Sequence, residues 1–285
     1  MMLATPTQTQ ETYETTAAIA AETLVVKIGG SAGVDLERCA DDLAVLARQR
    51  PVIVVHGVSA AMDALCAARG VPVRTITSPT GHVSRYTDLQ TRALFVEASA
   101  AVNRDLVDRL RARGIEATGF VEELAIWGER KAALRALVDG RLRMIRDDYS
   151  GTIAGVDADR LRAALAAGQM VVLPPLAASA DGPLNIDGDR ASAAVAAAVG
   201  ARELVILSNV RGLYRNPADE VSLVRSVTLD ALPQALEWSQ GRMKRKVLGA
   251  AEALEGGVQR VIIADGRLDQ PVRRALAGHG TEFIR

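Results

Sequence analysis

The chain has 285 residues, 49% of them hydrophobic, enough to bury a sizeable core without cross-links. Lysine plus arginine and aspartate plus glutamate each number 34, so the global basic excess that nucleic-acid binding leaves is missing and any charged partner must meet a local patch. Its two cysteines, Cys39 and Cys66, are too few for a disulfide framework and their spacing matches no metal-ligand pair; they read as buried thiols of a reducing cytoplasm.

In chain order, residues 1–22 are rich in threonine, glutamine and alanine, lack a basic start, and read as a flexible tail rather than a secretory signal. No later stretch approaches the roughly 18 consecutive apolar residues of a membrane-spanning helix, so a soluble protein without a membrane partner is expected. From Leu24 onward short apolar runs alternate with segments of helical period. Strands are predicted at Leu24 to Ile28, Pro51 to His56, Met170 to Leu173, Glu203 to Ser208 and Gln259 to Ala264, and their apolar residues hardly alternate, as when helices cover both faces of a sheet. Helices are predicted at Asp35 to Arg50, Ala60 to Arg69, Thr87 to Arg113, Ala158 to Ala167, Asp189 to Val199 and Arg242 to Glu255. Between Phe120 and Val156 the text is mixed and charged, punctuated by Gly128, Gly140 and Gly151, which predicts hairpins projecting from the sheet. The expected fold is α/β, a three-layer αβα sandwich with a mostly parallel central sheet. Residues 23–175 would form an N-terminal lobe and residues 176–285 a C-terminal lobe.

In open parallel sheets ligands gather outside the carboxyl ends of the strands. After the first strand comes Lys27-Ile28-Gly29-Gly30-Ser31, and after the second His56-Gly57-Val58-Ser59. Gly29 and Gly30 suit an ordinary strand-to-helix turn as well as an anion cradle, but a lysine ending a buried strand needs a partner. In Asn185-Ile186-Asp187-Gly188-Asp189, Asp189 suits either a helix cap or an organiser of lysine ammoniums or magnesium. Ser208-Asn209-Val210-Arg211-Gly212-Leu213-Tyr214 ends a strand at a sharp turn able to meet adenine or ribose. Gly241-Arg242-Met243-Lys244-Arg245-Lys246 opens a helix with a cluster of cations, unfavourable against the helix dipole unless an anion sits there. The Walker phosphate loop and the protein-kinase catalytic set are missing. Two distant lysines, an aspartate between them, glycine loops and magnesium would suffice for phosphoryl transfer.

Taken in order, Val26 to Ser31, His56-Gly57, Asn185 to Asp189 and Gly241 to Lys246 resemble the signatures of the amino acid kinases, the acetylglutamate kinases in particular. The resemblance runs from Leu24 to Arg285 and implies that fold, ATP with nucleotide-borne Mg2+, and a homodimer. It implies that Lys27 and Lys246 stabilise the transferring phosphoryl group, that Asp189 holds both lysines, and that Asn185 touches the acceptor. Gly29, Gly30 and Gly57 would donate backbone bonds to phosphate oxygens, with Val58 beside them on the acceptor side. Ser208, Asn209, Gly212, Tyr214 and Met243 would belong to the ATP site. Thr77 to Asp88 and Ile145 to Gly151 resemble the narrower group of LysW-type kinases, which phosphorylate glutamate or 2-aminoadipate carried on a small acidic amino-group carrier protein. Arg85 would then pair with the acceptor's α-carboxylate, for which a guanidinium fork is suited.

Between Gly128 and Arg146 the basic residues Arg130, Lys131, Arg135, Arg141, Arg143 and Arg146 face only Glu129 and Asp139. That asymmetry predicts a docking surface for an acidic protein, with Arg130, Lys131, Arg141 and Arg143 as its candidates. Three departures from the family pattern stand out: Val58 in place of a second glycine, Asn209 in place of an aspartate, and Phe120 to Glu123 in place of a glycine-containing turn. His56 and His82 are assigned no proton transfer, because a carboxylate acceptor is already ionised at neutral pH. The competing readings are a kinase for free N-acetylglutamate and a non-catalytic sensor on the same fold.

Overall fold

The computed structural model describes residues 19–79, 81, 83–138 and 141–285. Residues 1–18 of the expected tail, with His82 and Asp139, lie outside the described residues. The last four residues assigned to that tail, 19–22, are helical, and Ile19 packs on the core.

An eight-stranded sheet runs in the order β14-β16-β15-β13-β1-β2-β10-β5. Its centre is β1 (Leu24–Ile28), parallel to β2 (Val52–His56) on one side and to β13 (Glu203–Ser208) on the other. Beyond β2 lie β10 (Met170–Leu173) and β5 (Ala117–Gly119); beyond β13 lie β15 (Arg260–Asp265), β16 (Thr281–Ile284) and β14 (Ser226–Thr228). Among the described residues of this sheet only the β15–β16 pairing is antiparallel, as a mostly parallel sheet requires. Every residue of β1 and β2 is buried, because helices cover both faces.

The pleat sorts β1 between two layers. Leu24, Val26 and Ile28 pack with α1 (Leu36–Ala47) and the C-terminal part of α3 (Leu89–Arg111), whereas Val25 packs with α4 (Ala158–Ala166), α5 (Gly188–Val199) and α7 (Gly241–Glu255). Lys27 shares the parity of Val25, so the strand's period of two aims its ammonium at the α5 layer. The two thiols are buried, Cys39 in α1 and Cys66 in α2 (Ser59–Ala68).

The expected hairpins form as two small sheets. β6 (Ile126–Arg130) pairs with β9 (Gly151–Val156). A four-stranded sheet, in the order β4-β3-β7-β8, joins β3 (Thr75–Thr77) and β4 (Val83–Arg85) to β7 (Leu134–Val138) and β8 (Arg141–Ile145). It roofs the carboxyl end of the main sheet: Thr75, Val83 and Arg85 line the cleft beneath it. The strands β3, β4, β5, β14 and β16 and the short helices α6 (Leu232–Trp238) and α8 (Pro271–Leu276) are additions to the elements read from periodicity. Each spans seven residues or fewer, too short to show a period.

Candidate active site

Strand order reverses around β1, and a cleft of about 970 Å³ opens at the carboxyl ends of β1, β2 and β13. At its floor Lys27, at the end of β1, meets Asp189, in the first turn of α5. The Lys27 Nζ lies 2.7 Å from one carboxylate oxygen, and the Lys246 Nζ, from the second turn of α7, lies 2.9 Å from the other. All three side chains are 10% exposed or less. The two lysines, 219 positions apart in sequence by their numbers, are therefore held by one carboxylate. Of the two readings open for Asp189, the helix cap falls to Asp187, whose side chain accepts from the N–H groups of Asp189 and Arg190. That leaves Asp189 free to face inward.

The electrostatics are those of an incomplete site. Burial alone would raise the carboxyl pKa of Asp189, but the Lys27 and Lys246 ammoniums outweigh it and hold that group well below the usual carboxylate range. Burial pushes the Lys246 pKa down, and the like charge of Lys27 pushes it further, against the pull of Asp189. One carboxylate facing two buried ammoniums leaves a net positive charge, and an incoming anion would complete the neutralisation.

Two glycine loops form the wall beside this cluster. They interpenetrate so closely that a Cβ on Gly30 would lie 2.2 Å from the Val58 nitrogen, and one on Gly57 2.4 Å from the Gly30 nitrogen. The loops are pinned by Gly57 N–H donating to the Ile28 carbonyl at 2.8 Å and Ala60 N–H to the Gly30 carbonyl at 2.7 Å. Gly29 backs onto β13, where its N–H donates to the Leu207 carbonyl at 3.0 Å. Among the described residues the N–H groups of Gly30 and Val58 find no protein acceptor, which leaves two adjacent donors for phosphate oxygens. Val58 fits without strain: its φ is −135°, and its buried side chain packs with Met62 and Phe95.

The cations that open α7 are only partly free. Arg242 donates to the Ser31 hydroxyl at 2.7 Å; Arg245 reaches the Val83 carbonyl in the roof and lies 3.4 Å from the Asp187 carboxylate; Lys244 lines the cleft exposed. The helix start thus ties both the β1 loop and the roof to itself.

On the acceptor side, Arg85 pairs with Asp63 of α2, its side chain 15% exposed, while its buried Nη1 has no partner among the described residues. Asn185 donates to the Thr87 hydroxyl at 3.0 Å, and both Asn185 and Arg85 line the cleft with Ser208 and Asn209. Gly212, Tyr214 and Met243 lie outside that lining. Gly212 packs on Thr281, Tyr214 bridges to Leu223, and Met243 packs against the core.

His56 is fully buried, and burial lowers its pKa to about 4. Asn103 Nδ2 donates to the Val172 carbonyl at 3.1 Å, which fixes the amide's orientation, and lies 3.2 Å from His56 Nε2. That nitrogen is therefore the acceptor, and the ring proton sits on Nδ1 toward the Gly57 carbonyl, 3.4 Å away. A neutral imidazole so engaged props the glycine loop, with its one ring proton directed to the Gly57 carbonyl and not to the cleft.

The basic hairpin divides by strand register. Arg135 opposes Met144 and Leu137 opposes Leu142, on the face that continues through Thr77 and Val83 to the cleft. Arg141 and Arg143 alternate onto the opposite face. Arg130 is turned inward: it stacks on Tyr149 with 4.0 Å to the ring centroid and donates to the backbone of Asp148 and Arg146. Lys131 alone of the four candidates lines the cleft.

With this geometry established, the likeness to known proteins is informative. A sequence profile described as the amino acid kinase family matches residues 22–265. The chain belongs to the amino acid kinase family. It is 42% identical over 265 residues to a LysW-aminoadipate kinase of Thermus thermophilus, covering 90% of this chain and 98% of the relative. It is 41% identical over 263 residues to the LysW-aminoadipate kinase of Deinococcus radiodurans, covering 90% of each. Among solved structures, the N-acetylglutamate synthase of Neisseria gonorrhoeae superposes with a TM-score of 0.76 at 25% identity, over 98% of this chain; the chain spans 64% of that longer protein. A carbamate kinase of Giardia lamblia bound to AMP-PNP superposes with a TM-score of 0.64 over 94% of this chain, at 15% identity, and shares the amino acid kinase fold.

In this member of the family, Ser31, Thr87, Asp148 and Arg245 lie within segments that the sequence singles out, but the sequence gives none of them a role of its own. Each acts through a contact with a segment distant in sequence, and no local spacing signals it.

Proposed function

We propose that the protein transfers the γ-phosphoryl group of ATP to the side-chain carboxylate of 2-aminoadipate or glutamate held on a small acidic amino-group carrier of the LysW type. The observation that carries this reading is the Lys27–Asp189–Lys246 cluster, net positive and buried, beside the unpaired donors of Gly30 and Val58. The carrier enters from the names of the relatives that are 41% and 42% identical.

The acceptor carboxylate is ionised at neutral pH and attacks the γ-phosphorus directly, so the O–P bond forms as the bond to the β-phosphate oxygen breaks and ADP leaves. No base is needed. Lys27 and Lys246 neutralise the charge that spreads over the equatorial oxygens, and Asp189 keeps both ammoniums in place before substrate arrives. The Gly30 and Val58 N–H groups hold phosphate oxygens. Arg85 offers its unpartnered Nη1 to the acceptor's α-carboxylate, and Asn185 orients the acceptor from the other side. Both Asp189 oxygens already face ammoniums, so magnesium would be held by the nucleotide phosphates, whose charge it would shield.

The roof supplies the entrance for a macromolecular acceptor. Val83, Leu137, Leu142 and Met144 are 39–53% exposed on the cleft-side face, with Arg135 among them and Lys131 at the cleft. An apolar patch edged by cations suits an acidic carrier. A cytoplasmic homodimer belongs to this reading on the resemblance alone. The deciding experiment measures ADP release with ATP and, in turn, carrier-linked 2-aminoadipate, carrier-linked glutamate and free N-acetylglutamate. Turnover with either carrier-linked acceptor is expected; turnover confined to N-acetylglutamate would refute the carrier, and ADP release with none would refute the kinase.

A further inference from the structure

Asp148, in the loop between β8 and β9, is 1% exposed and does not line the cleft. One carboxylate oxygen accepts the Thr87 N–H at 2.9 Å and the other the Ser150 N–H at 2.8 Å. Among the described residues no cation forms an ion pair with it. A buried carboxylate without a cation is costly, and two backbone donors alone do not demand a charge. What only a carboxylate offers here is two equivalent acceptors at fixed separation, one for each of two chain segments.

Both segments belong to the acceptor end of the cleft. Thr87 follows Arg85 by two residues, and its hydroxyl accepts from Asn185 at 3.0 Å. The Tyr149 N–H donates to the Thr87 carbonyl at 2.7 Å, and the Asn185 N–H to the Tyr149 carbonyl at 3.0 Å. The Tyr149 ring is held between Arg92 and Arg130, at 4.2 and 4.0 Å from its centroid. Asp148 is thus the node at which the strand carrying Arg85, the loop leading to β9 and the strand carrying Asn185 are fastened together.

We infer that Asp148 is a positioning residue for acceptor recognition: it fixes Arg85 and Asn185 relative to each other, and so sets affinity for the acceptor's α-carboxylate end without touching it. The inference rests on the proposed function. Asp148→Asn keeps the shape, replaces one acceptor oxygen by a donor and spares the phosphoryl-transfer cluster.

Steady-state kinetics on the full chain, with ATP and the carrier-linked acceptor that wild type phosphorylates, provide the test. The variant should raise the acceptor KM about tenfold, the worth of one lost bond to a charged group, with kcat and the ATP KM held within about twofold. A merely structural role would lower kcat and disturb both Michaelis constants together. In an Arg85→Ala background the same substitution should add almost nothing to the acceptor KM, because the group it positions is gone. An unshifted acceptor KM, a parallel fall in kcat, or full additivity with Arg85→Ala would overturn the inference while leaving the proposed function intact. Wild-type failure with every carrier-linked acceptor would sink both.

Discussion

Replacing Asp189 by asparagine tests the core of the site, because it removes one charge and leaves two. The carboxylate is 5% exposed and lies 2.7 and 2.9 Å from the two ammoniums. Removing one partner of a buried ion pair costs about 3–5 kcal/mol, since the remaining charge is stranded. Two stranded ammoniums that also repel each other put this case at the upper end. For a domain of this size each kcal/mol lowers the melting temperature by about 2–4 °C, so a fall on the order of 10 °C is expected. Asp189 has a depressed pKa in the fold, so its contribution is fully present above the ordinary aspartate range and is lost as pH falls through the folded value. The difference between variant and wild type should accordingly be largest near neutrality and shrink in strong acid. Turnover should fall at least 100-fold, the typical worth of one oriented electrostatic group in a transition state. Thermal melts with and without ATP and magnesium, beside ADP release at saturating acceptor, read both effects. Bound triphosphate should narrow the stability gap, because phosphate oxygens neutralise the stranded lysines. A variant that melts with wild type, or that keeps kcat within about threefold, would refute the placement of Asp189 between the two ammoniums in the working enzyme.

Gly30→Ala should cost turnover at least tenfold and loosen nucleotide binding, since the new methyl would fall 2.2 Å from the Val58 nitrogen and push apart the two loops that carry the phosphate donors; unchanged ATP affinity by titration would contradict this. Arg85→Ala should raise the acceptor KM by about 10–100-fold and leave the ATP KM in place, as loss of a charge-assisted bond to a carboxylate predicts; equal shifts in both would be contrary evidence. Reversing Lys131 and Arg135 to glutamate should depress turnover with carrier-linked acceptor and flatten its fall with salt, because the screened attraction is gone, whereas reversing Arg141 and Arg143 on the far face should change it little; the opposite ranking in kcat/KM would place the carrier elsewhere. The His56 pKa is lowered in the fold from 6.5 to about 4, so the unfolded chain binds more protons in that window and stability should decline as pH falls through it, by up to ~3 kcal/mol. Melts across pH 4 to 7 would show this, and a flat profile would argue against a neutral buried imidazole.

Much of the candidate site is legible in the sequence because charges are set into apolar text. Lys27 ends a run that the sheet buries on both faces, so it required a counter-charge, and the acidic cluster at Asp187 and Asp189 was a candidate supplier. Which aspartate does what was not legible. Capping falls to Asp187 and bridging to Asp189, a choice set by the phase of α5 over β1, which depends on how two distant segments pack. The same limit applies to the basic hairpin. The excess of positive charge between Gly128 and Arg146 is a property of composition and was visible. Its division between two faces depends on the β7–β8 register, and in a strand one residue of slip moves every side chain to the other side. Composition therefore groups Arg141 and Arg143 with Lys131, whereas the register sets those two on the face opposite to Arg135, Leu137, Leu142 and Met144. Arg130 is the complementary case. By composition it is one more surface cation, yet the Tyr149 ring and two backbone carbonyls draw it inward. Sequence thus identifies a group whose burial demands compensation, as with Lys27. Where a group could equally remain in water, as with Arg130, only the packing decides, and residues that act by fastening segments together are the ones a linear reading passes over.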